Sequence, residues 1–153
     1  MAARHLPFIA TAVTVVALDQ LTKAIVRARL DVGESWPEGG TVNLTHVRNT
    51  GAAFGLLQGE TTFLILTTLF GLGAIALYYA MPPVRHSLLG PALGLVLGGA
   101  TGNLIDRVRM GHVTDFIHFP NYPNFNIADS AITVGIVTLI ALMLLVPERR
   151  TEP

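Results

Sequence analysis

Four long apolar runs, Leu6–Val26, Thr61–Met81, Leu88–Ile105 and Ile127–Val146, take up most of this chain. Each is close to the ~20 residues that a helix needs to cross the hydrocarbon core of a bilayer. A backbone in lipid has no water to bond to, so runs of this length fold as helices that satisfy their own hydrogen bonds. Only 13% of the 153 residues are charged, against about a quarter in a soluble domain. The fold class is therefore an all-α membrane protein with four transmembrane helices. Residues 1–153 read as one integral-membrane domain, with an extramembrane segment over residues 30–60.

The first run follows Arg4 and imitates a secretory leader, but it is too long for a typical leader core and lacks a small-x-small cleavage site. It reads as a retained first helix. A net charge of zero gives no pointer to nucleic acid, and the absence of cysteine excludes disulfides, thiol nucleophiles and thiolate metal sites. Arg4, Arg85, Arg149 and Arg150 fall on the side of the termini, and Arg27, Arg29, Arg48, Arg107 and Arg109 on the other, so positive charge does not set the orientation.

If all four runs cross, the polar residues they contain fall in one layer. Asp19 and Lys23 lie near the exit of the first run, Asn103 and Asp106 at the exit of the third, and Asp129 in the first turn of the fourth. Ionisable groups at membrane depth are costly, and their clustering at one face marks a functional site.

The connections carry further signals. Gly33, Pro37, Gly39 and Gly40 mark turns, and the β-branched stretch Thr41–Val47 reads as a short strand. Gly51–Leu57 is small and apolar and reads as a short interfacial helix or loop on the membrane surface. Gly90, Gly94, Gly98 and Gly102 recur every fourth residue in the third run, a spacing that lets helix backbones approach closely in lipid. Asp106 continues that series and is expected to point into the bundle. Val113–Phe119 reads as a strand or extended loop, and Pro120 and Pro123 then impose an irregular link.

Asp115 and Asp129 are the first chemical candidate. Two carboxylates brought together cannot both ionise easily; the ionised one takes a proton from water and the protonated one polarises a carbonyl. Each has a plainer alternative, equal in weight to the chemical one for Asp129 and stronger than it for Asp115 on spacing alone. Asn126 is a good N-cap, so Asp129 at the third helical position is favoured by the helix dipole, and Asp115 taken alone is an ordinary loop acid. Asp106 beside Arg107 reads as structural support, either an ion pair or a helix C-terminal anchor. Asp19 and Lys23, four residues apart, read as a helix salt bridge, with snorkelling of Lys23 to the interface as the alternative. Asn49 is either a turn residue or, with Asn103, an amide that holds a peptide backbone. The five histidines have no ligand spacing, and the serines have no evident base, so neither a metal site nor a serine nucleophile is expected.

Five segments together resemble the motif blocks of the bacterial lipoprotein signal peptidases (signal peptidase II), and they stand in that family's order. They are Asp19-Gln20-Leu21-Thr22-Lys23, Asn49-Thr50-Gly51-Ala52-Ala53-Phe54-Gly55, Gly102-Asn103-Leu104-Ile105-Asp106-Arg107, Val113-Thr114-Asp115-Phe116 and Phe125-Asn126-Ile127-Ala128-Asp129-Ser130. The resemblance implies four transmembrane helices in the bacterial inner membrane, both termini cytoplasmic, and an active site toward the periplasmic face. Between the first two helices it implies a small β-rich cradle and a short surface helix. It also implies an aspartyl endopeptidase that works as a monomer without a cofactor. The implied substrate is a prolipoprotein held in the membrane by lipid and cut just before a diacylglyceryl-cysteine. The implied catalytic pair is Asp115 and Asp129, supported by Asp19, Lys23, Asn49, Gly51, Asn103, Asp106, Arg107 and Asn126.

Two other classes remain open on the residues alone. A small transporter could use Asp19, Lys23, Asp106 and Asp129 as a proton relay, although a relay should continue toward the opposite face. An assembly factor would use the glycine faces for packing and leave Asp115 without a role.

Overall fold

A computed structural model of the chain describes residues 2–51, 56–82 and 86–145, with the backbone alone for residues 2–4. Among the described residues there are four helices: α1 (Ala2–Arg29), α2 (Thr61–Ala80), α3 (Leu89–Met110) and α4 (Ile127–Leu145). Three short strands, β1 (Ser35–Trp36), β2 (Asn43–Asn49) and β3 (Val113–His118), form one antiparallel sheet in that order. By length and composition, α1, α2 and α4 are long and apolar enough to cross a membrane. α3 is the polar, glycine-rich helix, and it packs against all three others. The expected surface helix over Gly51–Leu57 falls largely on residues 52–55, outside the described residues; residues 56–59 form a turn.

α3 is central because its glycines remove the side chains that would hold its neighbours off. A Cβ on Gly98 would meet Ala12 O at 2.7 Å and Val15 Cβ at 2.8 Å, so α1 lies directly on the α3 backbone. Lipid offers helices no hydrophobic drive to associate, and close backbone approach of this kind supplies the packing contacts instead. At one end of the bundle, Leu89, Leu93 and Leu142 form an apolar core with Phe8, Tyr78 and Tyr79 against it. The polar layer lies at the other end. α2, by contrast, exposes most of its length; Leu64 is its one buried residue among those described.

α3 runs beyond the apolar stretch to Met110 and stops at Gly111. There a φ of +75° suits glycine, and the Gly111 N–H closes the helix on Arg107 O. β3 follows at once and pairs with β2, placing Val47 opposite Asp115 and Asn49 opposite Val113. A register shift between Leu44 and Val47 bulges β2 there. The sheet is thus hung directly on the ends of α1 and α3, at the level of the polar layer.

Candidate active site

Asn126 and Asp129 cap each other at the start of α4. The Asp129 N–H donates to Asn126 Oδ1 at 3.0 Å, and the Asn126 N–H donates to Asp129 Oδ2 at 3.1 Å. This reciprocal box fixes the Asp129 carboxylate in the first turn of the helix, where the macrodipole favours negative charge. The same Asn126 donates through Nδ2 to Asp115 Oδ1 at 2.7 Å and to Asn103 Oδ1 at 3.2 Å. One amide therefore spans both aspartates.

Asp115 reaches this point from β3 and is 2% exposed. Its second oxygen, Oδ2, accepts from Asn49 Nδ2 at 2.8 Å. Asn49 is oriented in turn by the Gly51 N–H, which donates to its Oδ1 at 2.9 Å. Burial pushes the Asp115 carboxyl up to about 7, and the Asp129 charge acts in the same direction. The two asparagine donors and the charge of Lys23 pull it back down. The principal cause is thus desolvation of the charged form.

Asp129 Oδ1 accepts from Asn103 Nδ2 at 2.8 Å. Asn103 Oδ1 accepts from Lys23 Nζ, also at 2.8 Å. Lys23 is fully buried and meets Asp19 Oδ2 at 2.9 Å and Asp106 Oδ2 at 3.2 Å. Asp19 Oδ1 also accepts the Ala128 N–H at 3.0 Å, tying α1 to the first turn of α4. Asp106 Oδ2 accepts the Thr114 N–H at 3.1 Å, tying α3 to β3. The i, i+4 pair read from the sequence is present, but inside the protein, and Lys23 does not snorkel.

The expected Asp106–Arg107 ion pair does not form. Adjacent helical residues project about 100° apart, so they do not face one another. Asp106 turns inward to Lys23, with Arg27 Nη1 at 3.7 Å, while Arg107 turns to the cleft and donates to Gly51 O at 3.2 Å. Three further members of the network were not singled out from the sequence. Gln20 Nε2 lies within 3.2 Å of Asp19, Gly102 O and Asp106, and Arg27 donates to Thr114 Oγ1 at 3.0 Å. The 19, 23, 27 spacing on one helix face was a signal for Arg27.

The residues thus divide into two sets. Asn49, Gly51, Asn103, Arg107, Asp115 and Asp129 line a cleft of about 570 Å³. Asp19, Lys23, Asp106 and Asn126 lie behind it, fully buried, and hold the first set in place. A carboxylate pair facing one cleft, with every amide orientation fixed, is an arrangement that can activate a water and polarise a carbonyl.

A family model described as signal peptidase (SPase) II matches residues 11–145 of the chain. The chain belongs to the signal peptidase II family. It is 45% identical over 145 residues to a lipoprotein signal peptidase of Dehalococcoides mccartyi, a match covering 92% of this chain and 91% of that one. A lipoprotein signal peptidase of Moorella thermoacetica is 44% identical, covering 97% of this chain and 100% of its own. The fold is similar to a solved structure described as a bacterial membrane enzyme, with a TM-score of 0.84 and 36% identity over 95% of this chain and 93% of that one. Membership of signal peptidase II makes the chain a peptidase, built mostly of helices of membrane-spanning character.

Proposed function

We propose that the chain is an aspartyl endopeptidase that removes the signal peptide of prolipoproteins, cutting just before a diacylglyceryl-modified cysteine. The observation that carries this reading is the placement of Asp115 and Asp129 on one cleft, joined through Asn126, in a chain of the signal peptidase II family. In this reading all four helices cross the inner membrane, both termini are cytoplasmic and the cleft opens at the periplasmic face. The chain acts as a monomer and needs no cofactor. A substrate anchored by its lipid presents its scissile bond at the depth of the polar layer and need not leave the membrane.

Asp129, held at a helix N-terminus, is the base, and Asp115, whose burial favours its protonated form, is the acid. Asp129 takes a proton from water as the oxygen attacks the carbonyl carbon, and Asp115 gives its proton to the carbonyl oxygen. The product is a neutral gem-diol. Return of a proton from the gem-diol to Asp115, and protonation of the amine by Asp129, breaks the C–N bond and restores the pair. No acyl-enzyme forms. Asn49, Gly51, Asn103 and Arg107 line the walls against which the peptide backbone lies.

The test is a gel-shift assay with a prolipoprotein carrying diacylglyceryl-cysteine, comparing parent, Asp115→Asn and Asp129→Asn, each with a melting curve. Cleavage by the parent alone, with all three folded, is the expected result. Cleavage by all three would remove the dyad assignment, and none by a folded parent would remove the substrate.

A further inference from the structure

The sheet has two unlike faces. Directly opposed residues in antiparallel strands share a face, so Trp36, Leu44 and Ile117 stand together through the pairs Trp36–Leu44 and Leu44–Ile117. Asp115, two residues from Ile117 on β3, is on that face as well. The other face carries Thr114 and Phe116, both buried, with Thr114 bonded to Arg27 of α1.

The first face changes character along its length. At Asp115 it overlies the start of α4, to which Asn126 ties it. At its outer end it leaves the protein behind: Trp36 is 65% exposed and Leu44 39%. Among the described residues β1 is also the edge of the sheet, with one side unpaired. An exposed apolar edge strand in water is a liability that proteins normally cover.

The depth of this edge is set by α1. Leu30 N–H closes the helix on Val26 O, beside Arg27 and Arg29, and His46 of β2 bonds Leu30 O through Nδ1 at 2.9 Å. The Gly33 N–H donates to His46 O at 2.8 Å, which folds the following segment back onto β2. The sheet is therefore held within bonding reach of the helix end, at the level where a spanning α1 emerges among headgroups.

We infer that Trp36 and Leu44 are inserted into the headgroup layer of the membrane, so that edge strand β1 rests on lipid. Three observations converge: the apolar exposure, the shared face with a residue that covers a membrane helix end, and the tether to the end of α1. An indole places its ring in the acyl boundary and its N–H among polar groups, and tryptophan is enriched at this depth. The lipid then covers the open edge and fixes the height of β2 and β3, and with them Asn49 and Asp115. This inference needs α1 to span the bilayer, and it does not depend on the peptidase reading.

Trp36 is the sole tryptophan of the chain, so its fluorescence reports on this site alone. The full chain is reconstituted into phosphatidylcholine–phosphatidylglycerol vesicles, with and without lipids brominated near the carbonyl end of the acyl chains. The expected result is a blue-shifted emission, quenched roughly twofold or more by the brominated lipid and shielded from aqueous acrylamide. A Trp36→Phe, Leu44→Trp variant is expected to be quenched in the same way. Water-like emission that acrylamide quenches and brominated lipid does not would overturn the inference. A blue shift that appears only after a lipidated precursor is added would also overturn it, by assigning this face to the substrate.

Discussion

Lys23 donates to Asn103 Oδ1 at 2.8 Å in a site with no solvent exposure of the lysine side chain. Because that oxygen faces an ammonium, the Asn103 amide must turn its Nδ2 toward Asp129. The lysine therefore sets a hydrogen bond to an aspartate that it does not itself touch. Replacing it with methionine keeps the stem volume but strands Asp19 and Asp106. Lys23→Met is expected to cost about 3–5 kcal/mol, the penalty for breaking a buried pair from one side. The loss is read as a lower melting temperature in lipid–detergent micelles. A melting curve that superimposes on the parent's would refute the buried pairing.

Gly102 and Gly73 are expected to respond oppositely to alanine. A Cβ on Gly102 would lie 2.5 Å from Asp19 Oδ2, which is held between Lys23 and the α3 backbone while Asp19 Oδ1 is held by the Ala128 N–H. The carboxylate has nowhere to move, so Gly102→Ala overpacks the site at about 1–3 kcal/mol. Gly73 on α2 has nothing within 4 Å of such a Cβ, and alanine there gains roughly 0.5–1 kcal/mol of helix preference. Paired thermal melts measure both, and two shifts of the same sign would contradict the packing described.

Asp115 gives both stability and activity a pH dependence. Its carboxyl titrates near 7 in the fold, against 3.8 as the ordinary value. The folded state thus binds this proton more tightly than the unfolded chain does. Its contribution to stability is complete below about 3.8 and is lost as pH rises through about 7. If the protonated form is the acid of the reaction, cleavage falls roughly tenfold per pH unit above that midpoint. Asn49 bonds the charged form, so Asn49→Ala should move the alkaline limb to higher pH. Rate profiles of the two proteins measure this, and a profile flat from neutral to alkaline pH would rule it out.

The helices were legible where hydrophobicity alone decides them. The runs 61–81 and 127–146 correspond to Thr61–Ala80 and to Ile127–Leu145, with Val146 outside the described residues. α3 outran its apolar run by five residues, because Asp106 and Arg107 are tolerated in a helix and only Gly111 ends it. The strand read over Thr41–Val47 lies at Asn43–Asn49, since its limits are set by pairing with β3 rather than by its own composition. Two-residue β1 exists only through β2 and left no pattern to read. In the site, the local relations were visible: Asp19 with Lys23, and Asn126 with Asp129. The long-range ones were not, because the partners of Asp106 and Asn103 come from α1 and α4, far away in the chain.

Asp106 and Arg107, adjacent on α3, separate structure from turnover most sharply. Asp106 accepts from Gln20 and the Thr114 N–H and pairs with Lys23, and it is fully buried. Asp106→Asn removes one of the two carboxylates paired with buried Lys23 and turns an amide donor toward groups that are already donors, at about 3–5 kcal/mol. Arg107 is half-buried on the adjacent helical position, faces the cleft and donates to Gly51 O. Arg107→Met keeps the apolar stem and loses one partly solvated hydrogen bond, worth about 0.5–1.5 kcal/mol. The melting temperature should therefore fall clearly for Asp106→Asn and little for Arg107→Met. Cleavage kinetics should show the reverse emphasis for Arg107→Met, with KM raised in a protein that remains folded, because the Gly51 wall of the cleft has lost its tether. Equal melting temperatures for Asp106→Asn and the parent would show that α1 and α3 are held together without this carboxylate.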